Sequence, residues 1–323
     1  MCASRSIVAD RHHTQLLLDV ARMYYIEERS QSEIAEAIGY SRPTVSRLIT
    51  DARRRQMVRI SIEHPLDQAF DLERQLERRF GLQVAAVASA SDAPPHRSVG
   101  RLAASLIAEA GHAHTILALS NGTSVASVVK EMPRQRWPFS NVVQMVGSLA
   151  QVGTDLVDSP ELCKRMARRL GGTHRPMPVP LVMGSVSLAE AMRHEELVLT
   201  TLELAARSDI ALVGVGAVGP QGRSGAILRP YMTSAAIADA RRSGAVAHVC
   251  GHYFNAAGEH IRDRMCNRVI SMPPERLGGI GLSIAVVWGL QKVQALGAAL
   301  RAGLVKALVT DEHTAHLVLA QRS

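Results

Sequence analysis

The chain has 323 residues, 47% of them hydrophobic and 20% charged, a composition that excludes a disordered or fibrous protein and allows two globular domains. No apolar run approaches the roughly 20 residues of a membrane span, and the N-terminus lacks the apolar stretch of a signal peptide. The formal net charge of +8 suits an anionic partner. Because residues 1–60 hold ten Arg against seven Asp or Glu, the excess is not concentrated there, and charge alone supports nucleic-acid binding only weakly.

Cysteine usage bears on metal sites and on the cellular compartment. The four cysteines, at positions 2, 163, 250 and 266, show no CxxC spacing and no His/Cys ligand cluster. This usage predicts neither a disulfide framework nor a structural zinc site, and it is typical of a reducing compartment. We therefore expect a cytoplasmic protein with no metal site, no cofactor and no membrane partner.

Two short helices around a tight turn are predicted near the N-terminus. Ser30 and Glu33 have the spacing of a capping box at the start of the first helix, and Gly39 can adopt the positive φ of a turn at its end. Ser41 is suited to cap the second helix, in whose first turn Pro43 loses no hydrogen bond. The pattern is that of a helix-turn-helix that enters DNA.

The second of these helices has an apolar and a polar face. Val45, Leu48 and Ile49 recur at helical spacing and point inward, whereas the residue types opposite them are those that contact phosphates and base edges. The alternative is an ordinary helical hairpin with a solvated face. The predicted DNA-contacting residues are Ser41, Arg42, Pro43, Thr44, Ser46 and Arg47.

Neighbouring segments complete a predicted DNA-binding domain over residues 1–62. Residues 13–28 have the apolar spacing of a third helix, and residues 57–62 alternate like a half-buried strand, which we interpret as a wing. The run Arg53–Arg55 could contact phosphate or could be a solvated helix end. Residues 63–81 are then predicted to contain an amphipathic linker helix that ends at Gly81.

Residues 82–323 alternate continuous apolar strands with amphipathic helices, which predicts a doubly wound, mostly parallel sheet. The strands are expected at 84–88, 115–119, 142–146, 210–215, 245–250, 283–287 and 305–310. The helices are expected at 98–110, 125–131, 159–170, 194–207, 233–242, 291–301 and 313–320. In such sheets ligands bind at the carboxyl ends of the strands, where the topology switches direction.

Two loops at predicted strand ends could therefore bind a ligand. Ser120 to Ser124 precede a helix, so that hydroxyls and free backbone N–H groups converge in a way that suits an anion. Gly214 to Gly219 would let a ligand approach the backbone closely, but no helix follows directly, which argues against a dinucleotide site. Lys292 opens a helix, an electrostatically unfavourable place that hints at a ligand role. Two alternatives stay open: the glycines could simply allow the chain to turn, and Lys292 could be a solvated surface residue.

Several segments in order resemble the SorC family of bacterial sugar-responsive transcription regulators, over roughly residues 14–320. The segments that carry the resemblance are 30–48, 170–172, 178–180, 206–216, 244–246, 250–251, 267–270 and 308–315. The resemblance implies a large domain like sugar-phosphate isomerases and deaminases of the ribose-phosphate isomerase type, and a phosphorylated sugar or related metabolite as effector. It also implies a tetramer, often a dimer of dimers, whereas the helix-turn-helix by itself predicts at least a dimer.

The resemblance also implies an effector site, but this chain departs from the family pattern around it. Asn121 replaces a common Trp, Asn255 an acid, and Trp288 a Gly, so the effector could be a sugar, a polyol or a sugar phosphate. The effector-binding residues implied by the resemblance and by the loops are Ser120, Asn121, Gly122, Thr123, Ser124, Gly147, Gly214, Gly216, Asn255 and Lys292.

We thus predict a DNA-binding transcriptional regulator, and not an enzyme, whose binding to double-stranded operator DNA is controlled by a small effector in residues 82–323. We also expect that effector binding alters the spacing of the DNA-binding heads in the oligomer. The rival hypothesis is a sugar-phosphate isomerase or deaminase with an accessory helical domain. That chemistry needs a placed acid or base, and the Ser120 and Gly214 loops contain no Asp or Glu.

Overall fold

The computed structural model describes residues 3–58, 65–89, 93–149, 158–218, 238–240 and 242–321. The chain divides into two compact units, Met1–Glu63 and His64–Ser323. Among the described helices, none has the length and apolar character needed to cross a bilayer.

The first unit is built from three helices: α1 (Ala3–Tyr25), α2 (Gln31–Ile38) and α3 (Arg42–Arg54). Its core consists of the apolar stripes of these helices, namely Leu17, Val20, Ala21, Ile34, Val45, Leu48, Ile49 and Ala52. Helix α1 begins ten residues earlier than the periodicity predicted. Of the predicted wing strand, Met57 and Val58 pack against this core without forming a strand, and residues 59–62 lie outside the described residues.

The second unit contains eleven described strands and eight described helices. The strands are β1 (Val84–Ala88), β2 (Ile116–Leu119), β3 (Asn141–Gln144), β4 (Thr173–Arg175), β5 (Ile210–Gly214), β6 (Gly216–Ala217), β7 (Ala245–Val249), β8 (His252–Asn255), β9 (His260–Ile261), β10 (Leu282–Val286) and β11 (Ala307–Asp311). The helices are α4 (Pro65–Phe80), α5 (Pro95–Ala110), α6 (Thr123–Glu131), α7 (Ser159–Leu170), α8 (Val186–His194), α9 (Glu196–Ala206), α10 (Val293–Arg301) and α11 (Glu312–Ala320).

Seven strands form one sheet in the order β1-β11-β10-β5-β2-β3-β4, and every pair is parallel. Buried apolar residues cover both faces of the sheet, as the continuous apolar strands predicted. From β2 the chain continues to β3 on one side, whereas from β5 it continues to β10 on the other. The adjacent ends of β2 and β5 are therefore the topological switch point at which ligands bind in such sheets.

A separate antiparallel sheet, in the order β6-β7-β8-β9, corrects one prediction. The apolar segment 245–250 does not join the parallel sheet but forms β7 of this smaller sheet. Cys250 (φ 52°) and Gly251 (φ 85°) form the two-residue connection from β7 to β8, and positive φ at both positions is the signature of a type I′ hairpin turn. Because a non-glycine residue rarely adopts positive φ, a cysteine at the first turn position does not predict this hairpin.

The helix predicted as a linker, α4, packs within the second unit. Its residues Ala69, Leu72 and Leu76 are buried in the same core as Ala85 of β1, and Gly81 follows it with φ 66°. The predicted helix 194–207 is confirmed as α9, whereas α8 was not predicted. The two helices are separated at Glu195, which is extended (φ −61°, ψ 131°). Of the predicted helix 233–242, residues 238–240 are described and are helical.

Candidate nucleic-acid interface and ligand cleft

The predicted capping signals of the helix-turn-helix are confirmed. The Ser30 N–H donates to a Glu33 carboxylate oxygen at 2.7 Å, and the Glu33 N–H donates to Ser30 Oγ at 3.3 Å. These hydrogen bonds lower the pKa of Glu33. Gly39 ends α2 with φ 72°. Ser41 begins α3, and its Oγ accepts the Thr44 N–H at 3.4 Å and lies 2.8 Å from Thr44 Oγ1. The local signals thus determine where both helices begin and how the chain turns between them.

The polar face of α3 is accessible. Arg42, Pro43, Ser46 and Arg47 are exposed, and Thr44 is half-buried with its hydroxyl in contact with Ser41. An exposed row at the start of the second helix is the arrangement that places side chains against base edges in the major groove.

The arginines at the end of α3 have contacts within the first unit. Arg54 pairs with Asp51, and the Arg53 guanidinium lies 5.7 Å from the centre of the Tyr25 ring. These two contacts favour the interpretation of a solvated helix end for Arg53 and Arg54.

The Ser120 and Gly214 loops meet at the switch point of the parallel sheet. The buried Ser120 donates its N–H to the Leu212 carbonyl at 3.1 Å, and its Oγ accepts the Gly214 N–H at 3.4 Å. Gly122, with φ 106°, leads into α6 without a side-chain cap. The first N–H groups of α6 therefore lack a capping side chain, which is the usual setting for anion binding at a helix N-terminus.

Three further groups converge on this loop junction. A Cβ at Gly214 would lie 3.6 Å from Ser124 Cβ and 3.9 Å from the Asn121 carbonyl oxygen, so the glycine faces both residues. The Asn121 Nδ2 atom is buried and, among the described residues, has no hydrogen-bond partner. Lys292 Nζ donates to Ser124 Oγ at 3.3 Å. An unpaired buried donor is costly, and a ligand oxygen would satisfy it.

Lys292 gives the cleft a half-buried positive charge. Burial lowers the pKa of its ammonium group to about 8, and its Nζ lies 5.4 Å from the centre of the Trp288 ring. Within the described part of the chain, no carboxylate oxygen lies within 4 Å of this nitrogen. The cleft, formed by Ser120–Ser124, Gly214 and Lys292, can therefore supply a positive charge and several N–H and O–H donors to an anionic or hydroxyl-rich molecule.

Three further predicted site residues have packing or turn contacts of their own. A Cβ at Gly147 would lie 2.6 Å from the Pro180 carbonyl oxygen, and one at Gly216 would lie 1.8 Å from His248 Nε2; both glycines thus allow close packing. Asn255 is held in its own turn, since Oδ1 accepts the N–H groups of Ala257 and Glu259. The prediction of a ligand role for these three has no support from their contacts.

The turn that contains Asn255 lies at the far end of α10 from Lys292. The Ala256 carbonyl accepts a hydrogen bond from Arg301 at 2.8 Å, whereas Lys292 precedes the first residue of that helix. Nine residues of helix span about 13 Å, so the turn and the ammonium group are well separated. Thr123, also predicted, is at the start of α6 with an exposed side chain.

The expectation of no His/Cys cluster is wrong. His252, His260 and Cys266 lie together, with one potential ligand atom from each within 4.8 Å of the others. His252 and Phe254 are two residues apart on β8 and therefore lie on the same face of the sheet. Because His260 of β9 lies opposite Phe254, the antiparallel pairing brings both histidines to that face. The sequence spacing matches no compact metal-binding motif, so only the hairpin register could have indicated the cluster.

Comparison with known proteins agrees with this architecture. A family model described as "Putative sugar-binding domain" matches residues 64–320, and the Sigma-70 region 4 model matches residues 18–55. The transcriptional regulator LsrR of Escherichia coli K12 is 28% identical over 302 residues, 93% of each chain. The erythritol catabolism regulatory protein EryD of Brucella abortus is 25% identical over 95% of this chain and 96% of that protein.

Solved structures give the same result. The full-length sorbitol operon regulator SorC from Klebsiella pneumoniae superposes with a TM-score of 0.76 at 25% identity, covering 94% of this chain and 98% of that one. A domain of a possible sugar-binding transcriptional regulator from Arthrobacter aurescens gives 0.71 at 25% identity, covering 80% of this chain and all of that one. With its helix-turn-helix unit and its sheet domain, this chain belongs to the SorC family of sugar-binding, DNA-binding transcriptional regulators.

Proposed function

We propose that the cleft formed by Ser120–Ser124, Gly214 and Lys292 binds the anionic end of a sugar phosphate, and that this binding controls operator affinity. The observation that carries the proposal is the ammonium group of half-buried Lys292, 3.3 Å from Ser124 Oγ and beside the uncapped start of α6. Two positive features side by side repel each other. An anion bound between them would attract both the ammonium group and the helix N-terminus.

The remaining donors argue for oxygen atoms around the anion. Asn121 Nδ2 is buried without a partner among the described residues, and Ser124 is 2% exposed. Buried donors that are fixed in advance recognise a ligand without the entropic cost of ordering them. A polyol without phosphate would use the same donors but would leave the Lys292 charge uncompensated, so we rank it second.

Control of DNA binding requires the effector to bind the DNA-competent and DNA-incompetent states with different affinities. Such coupling is usually about 1–3 kcal/mol, or roughly 5- to 150-fold in affinity. DNA contact is proposed for Arg42, Thr44, Ser46 and Arg47 on the exposed side of α3, with Ser41 and Pro43 setting its first turn. The same coupling can serve repression or activation, depending on which state the effector favours.

The proposed assembly is a dimer or tetramer that works in the cytoplasm, where operator DNA is found. One helix-turn-helix reads only a half-site, so tight binding requires at least two heads on the DNA. Sedimentation velocity of the purified protein at micromolar concentration, with and without operator, checks this. A species of 34.9 kDa alone in both conditions would contradict it.

A regulatory rather than catalytic role is also proposed. Asp158 accepts hydrogen bonds from Ser148 Oγ at 2.5 Å and from the Leu149 and Ser159 N–H groups, which makes it a helix cap instead of a free general base. Among the residues that form the cleft, Ser120–Ser124, Gly214 and Lys292, the lysine is the one with an acid–base side chain. Turnover of sugar phosphates by the purified protein at enzyme-like rates would support the rival isomerase or deaminase hypothesis.

The decisive experiment is a thermal-shift screen with sugars, polyols, their phosphates and inorganic phosphate, followed by operator release measured by electrophoretic mobility shift. A ligand that binds only the folded state raises the melting temperature. We expect a phosphorylated compound to stabilise the wild type and Lys130→Met, but not Lys292→Met. Lys130 is the matched control because it is an exposed lysine on α6. Equal stabilisation of Lys292→Met would place the anion elsewhere.

A further inference from the structure

A cavity of about 420 Å³ lies in the second unit, away from the Ser120 cleft. Its wall includes His252, His260 and Cys266 together with Arg193, Arg262 and Glu275. It thus contains two imidazoles and a thiol, the side chains that bind borderline and soft metal ions. No part of the proposed effector site uses these residues.

The two imidazoles face each other through atoms that could hold a metal ion. His252 Nδ1 and His260 Nε2 are 3.1 Å apart, close to the separation of about 3.3 Å expected for two nitrogens on a tetrahedral zinc ion with Zn–N bonds near 2.05 Å. The buried Cys266 Sγ belongs to the same cluster. A small adjustment of side chains would bring all three atoms to bonding distance.

The outer nitrogens of both rings are already anchored. His260 Nδ1 lies 2.7 Å from a Glu275 carboxylate oxygen, and His252 Nε2 lies 2.9 Å from Ser271 Oγ. Carboxylate and hydroxyl partners on the non-ligating nitrogen orient metal-binding histidines and fix their tautomers. We propose that His252, His260 and Cys266 form a binding site for a transition-metal ion, of which Zn²⁺ suits the ligand set, with water from the cavity in the fourth position.

The protons of the site can be accounted for. In the metal-free pair, His260 donates Nδ1–H to Glu275 and accepts at Nε2 from His252 Nδ1–H. Metal binding moves the His252 proton to Nε2, where Ser271 accepts it, and releases the thiol proton of Cys266. A free cysteine thiol is protonated at neutral pH, and one proton leaves per ion because a bound thiol is deprotonated outright.

The cavity wall carries three arginines and two glutamates, namely Arg193, Arg262, Arg276, Glu203 and Glu275. Arg193 donates to the Asn267 and Val269 carbonyls, and Arg262 lies 3.4 Å from Glu275. The three arginines oppose a dication, whereas the two carboxylates and the new thiolate favour it. The bound ion would tie β8 and β9 to the short 3₁₀ helix Cys266–Arg268, so metal binding should stabilise the antiparallel sheet.

The test uses chelator-treated full-length protein titrated with ZnCl₂ by calorimetry, and with CoCl₂ by absorption spectroscopy. We expect one Zn²⁺ per chain with release of one proton, a higher melting temperature, and tetrahedral Co²⁺ bands together with a thiolate-to-cobalt charge-transfer band. Cys266→Ser should abolish the charge-transfer band, whereas Cys163→Ser, a buried cysteine on α7, should keep it. No uptake, or a charge-transfer band that survives Cys266→Ser, would overturn the proposal.

A second variant tests the site even if Cys266→Ser fails to fold. Glu275 has a half-exposed side chain, so Glu275→Gln should fold normally, as circular dichroism can verify. Loss of a carboxylate that orients a metal-binding histidine typically lowers metal affinity roughly 10- to 100-fold, and we expect that for Zn²⁺. Unchanged Zn²⁺ affinity in folded Glu275→Gln would likewise overturn the site.

Discussion

The two candidate binding surfaces present positive charge in opposite ways. On α3, Arg42 and Arg47 are exposed side chains, whose charges solvent and salt screen. In the cleft, Lys292 is half-buried and its ammonium is directed at Ser124, so solvent and salt screen it less than the exposed arginines. A surface that reads a polyanion can rely on many weak, mobile contacts, whereas a site for one small molecule needs a few donors fixed in advance. The difference predicts how each surface responds to mutation, salt and pH.

The largest effect is expected on the exposed helix. Ser46→Ala combined with Arg47→Ala removes two proposed base contacts, each contributing about 1–3 kcal/mol, so specific operator affinity should fall by roughly 30-fold or more. Mobility shifts with the native promoter measure the loss. The control is Arg207→Ala, an exposed arginine of the second unit paired with Glu203. Unchanged affinity and sequence preference in the folded double variant would remove α3 from recognition.

A bulkier side chain in the cleft should weaken effector binding without changing DNA binding. Gly214→Val places methyl groups beside Ser124 and Asn121, and the 3.6 Å between its Cβ and Ser124 Cβ would be an ordinary contact. Circular dichroism verifies that the variant folds. Overpacking of about 1–3 kcal/mol predicts about 10- to 100-fold weaker effector binding, with operator affinity unchanged.

Isothermal titration and mobility shifts check the Gly214→Val variant. Gly184→Val is its control, because a Cβ there meets nothing within 4 Å. Gly122 is a poorer test since its φ of 106° would add backbone strain to any steric block. Wild-type effector affinity in Gly214→Val would locate the ligand elsewhere.

The half-buried charge should give the cleft a pH dependence that the helix lacks. The pKa of Lys292 is about 8 in the free protein, so the ammonium form needed for an anion prevails below pH 8 and is lost above it. Sulfate affinity, measured by calorimetry, should therefore fall between pH 7 and pH 9, by up to about tenfold per unit above the pKa. Sulfate does not titrate in this range. A pH profile shared with Lys292→Met would contradict the assignment.

The smallest effect concerns stability. The folded state depresses the pKa of Lys292 from 10.5 to about 8, so the unfolded chain binds more protons between these values and stability should rise with pH across that window. Below pH 8 the half-buried ammonium is a cost, and Lys292→Met should raise the melting temperature by a few degrees. Calorimetry at pH 7 measures it. A Lys292→Met variant that melts below the wild type would show that the lysine stabilises the fold.

The sequence predicted the exposed helix better than the cleft, and the reason is locality. Ser30, Glu33, Gly39 and Ser41 act within one or two turns of chain, so their spacing is enough to predict the helix-turn-helix. Ser120, Gly214 and Lys292 are far apart in sequence and meet only through the parallel strand order. Strand ends could be predicted from the apolar runs, and so could the Ser120 loop.

The contacts that depend on tertiary pairing could not be predicted from local patterns. The family resemblance groups Asn255 with the cleft, although its own turn holds the side chain. His252 and His260 look unrelated in the sequence because only the β8–β9 register brings them to one face. The two-residue turn at Cys250–Gly251 has no local signature because its first residue is a cysteine with positive φ.

The hydrogen bond between Gly214 N–H and Ser120 Oγ joins two loops that belong to opposite halves of the sheet. After β2 the chain continues toward one edge of the sheet, and after β5 it continues toward the other. This contact therefore couples the movement of the two loops. A ligand that displaces either loop must move both or break the bond. Under the proposed function, an effector in the cleft would therefore act on both halves of the domain at the same time.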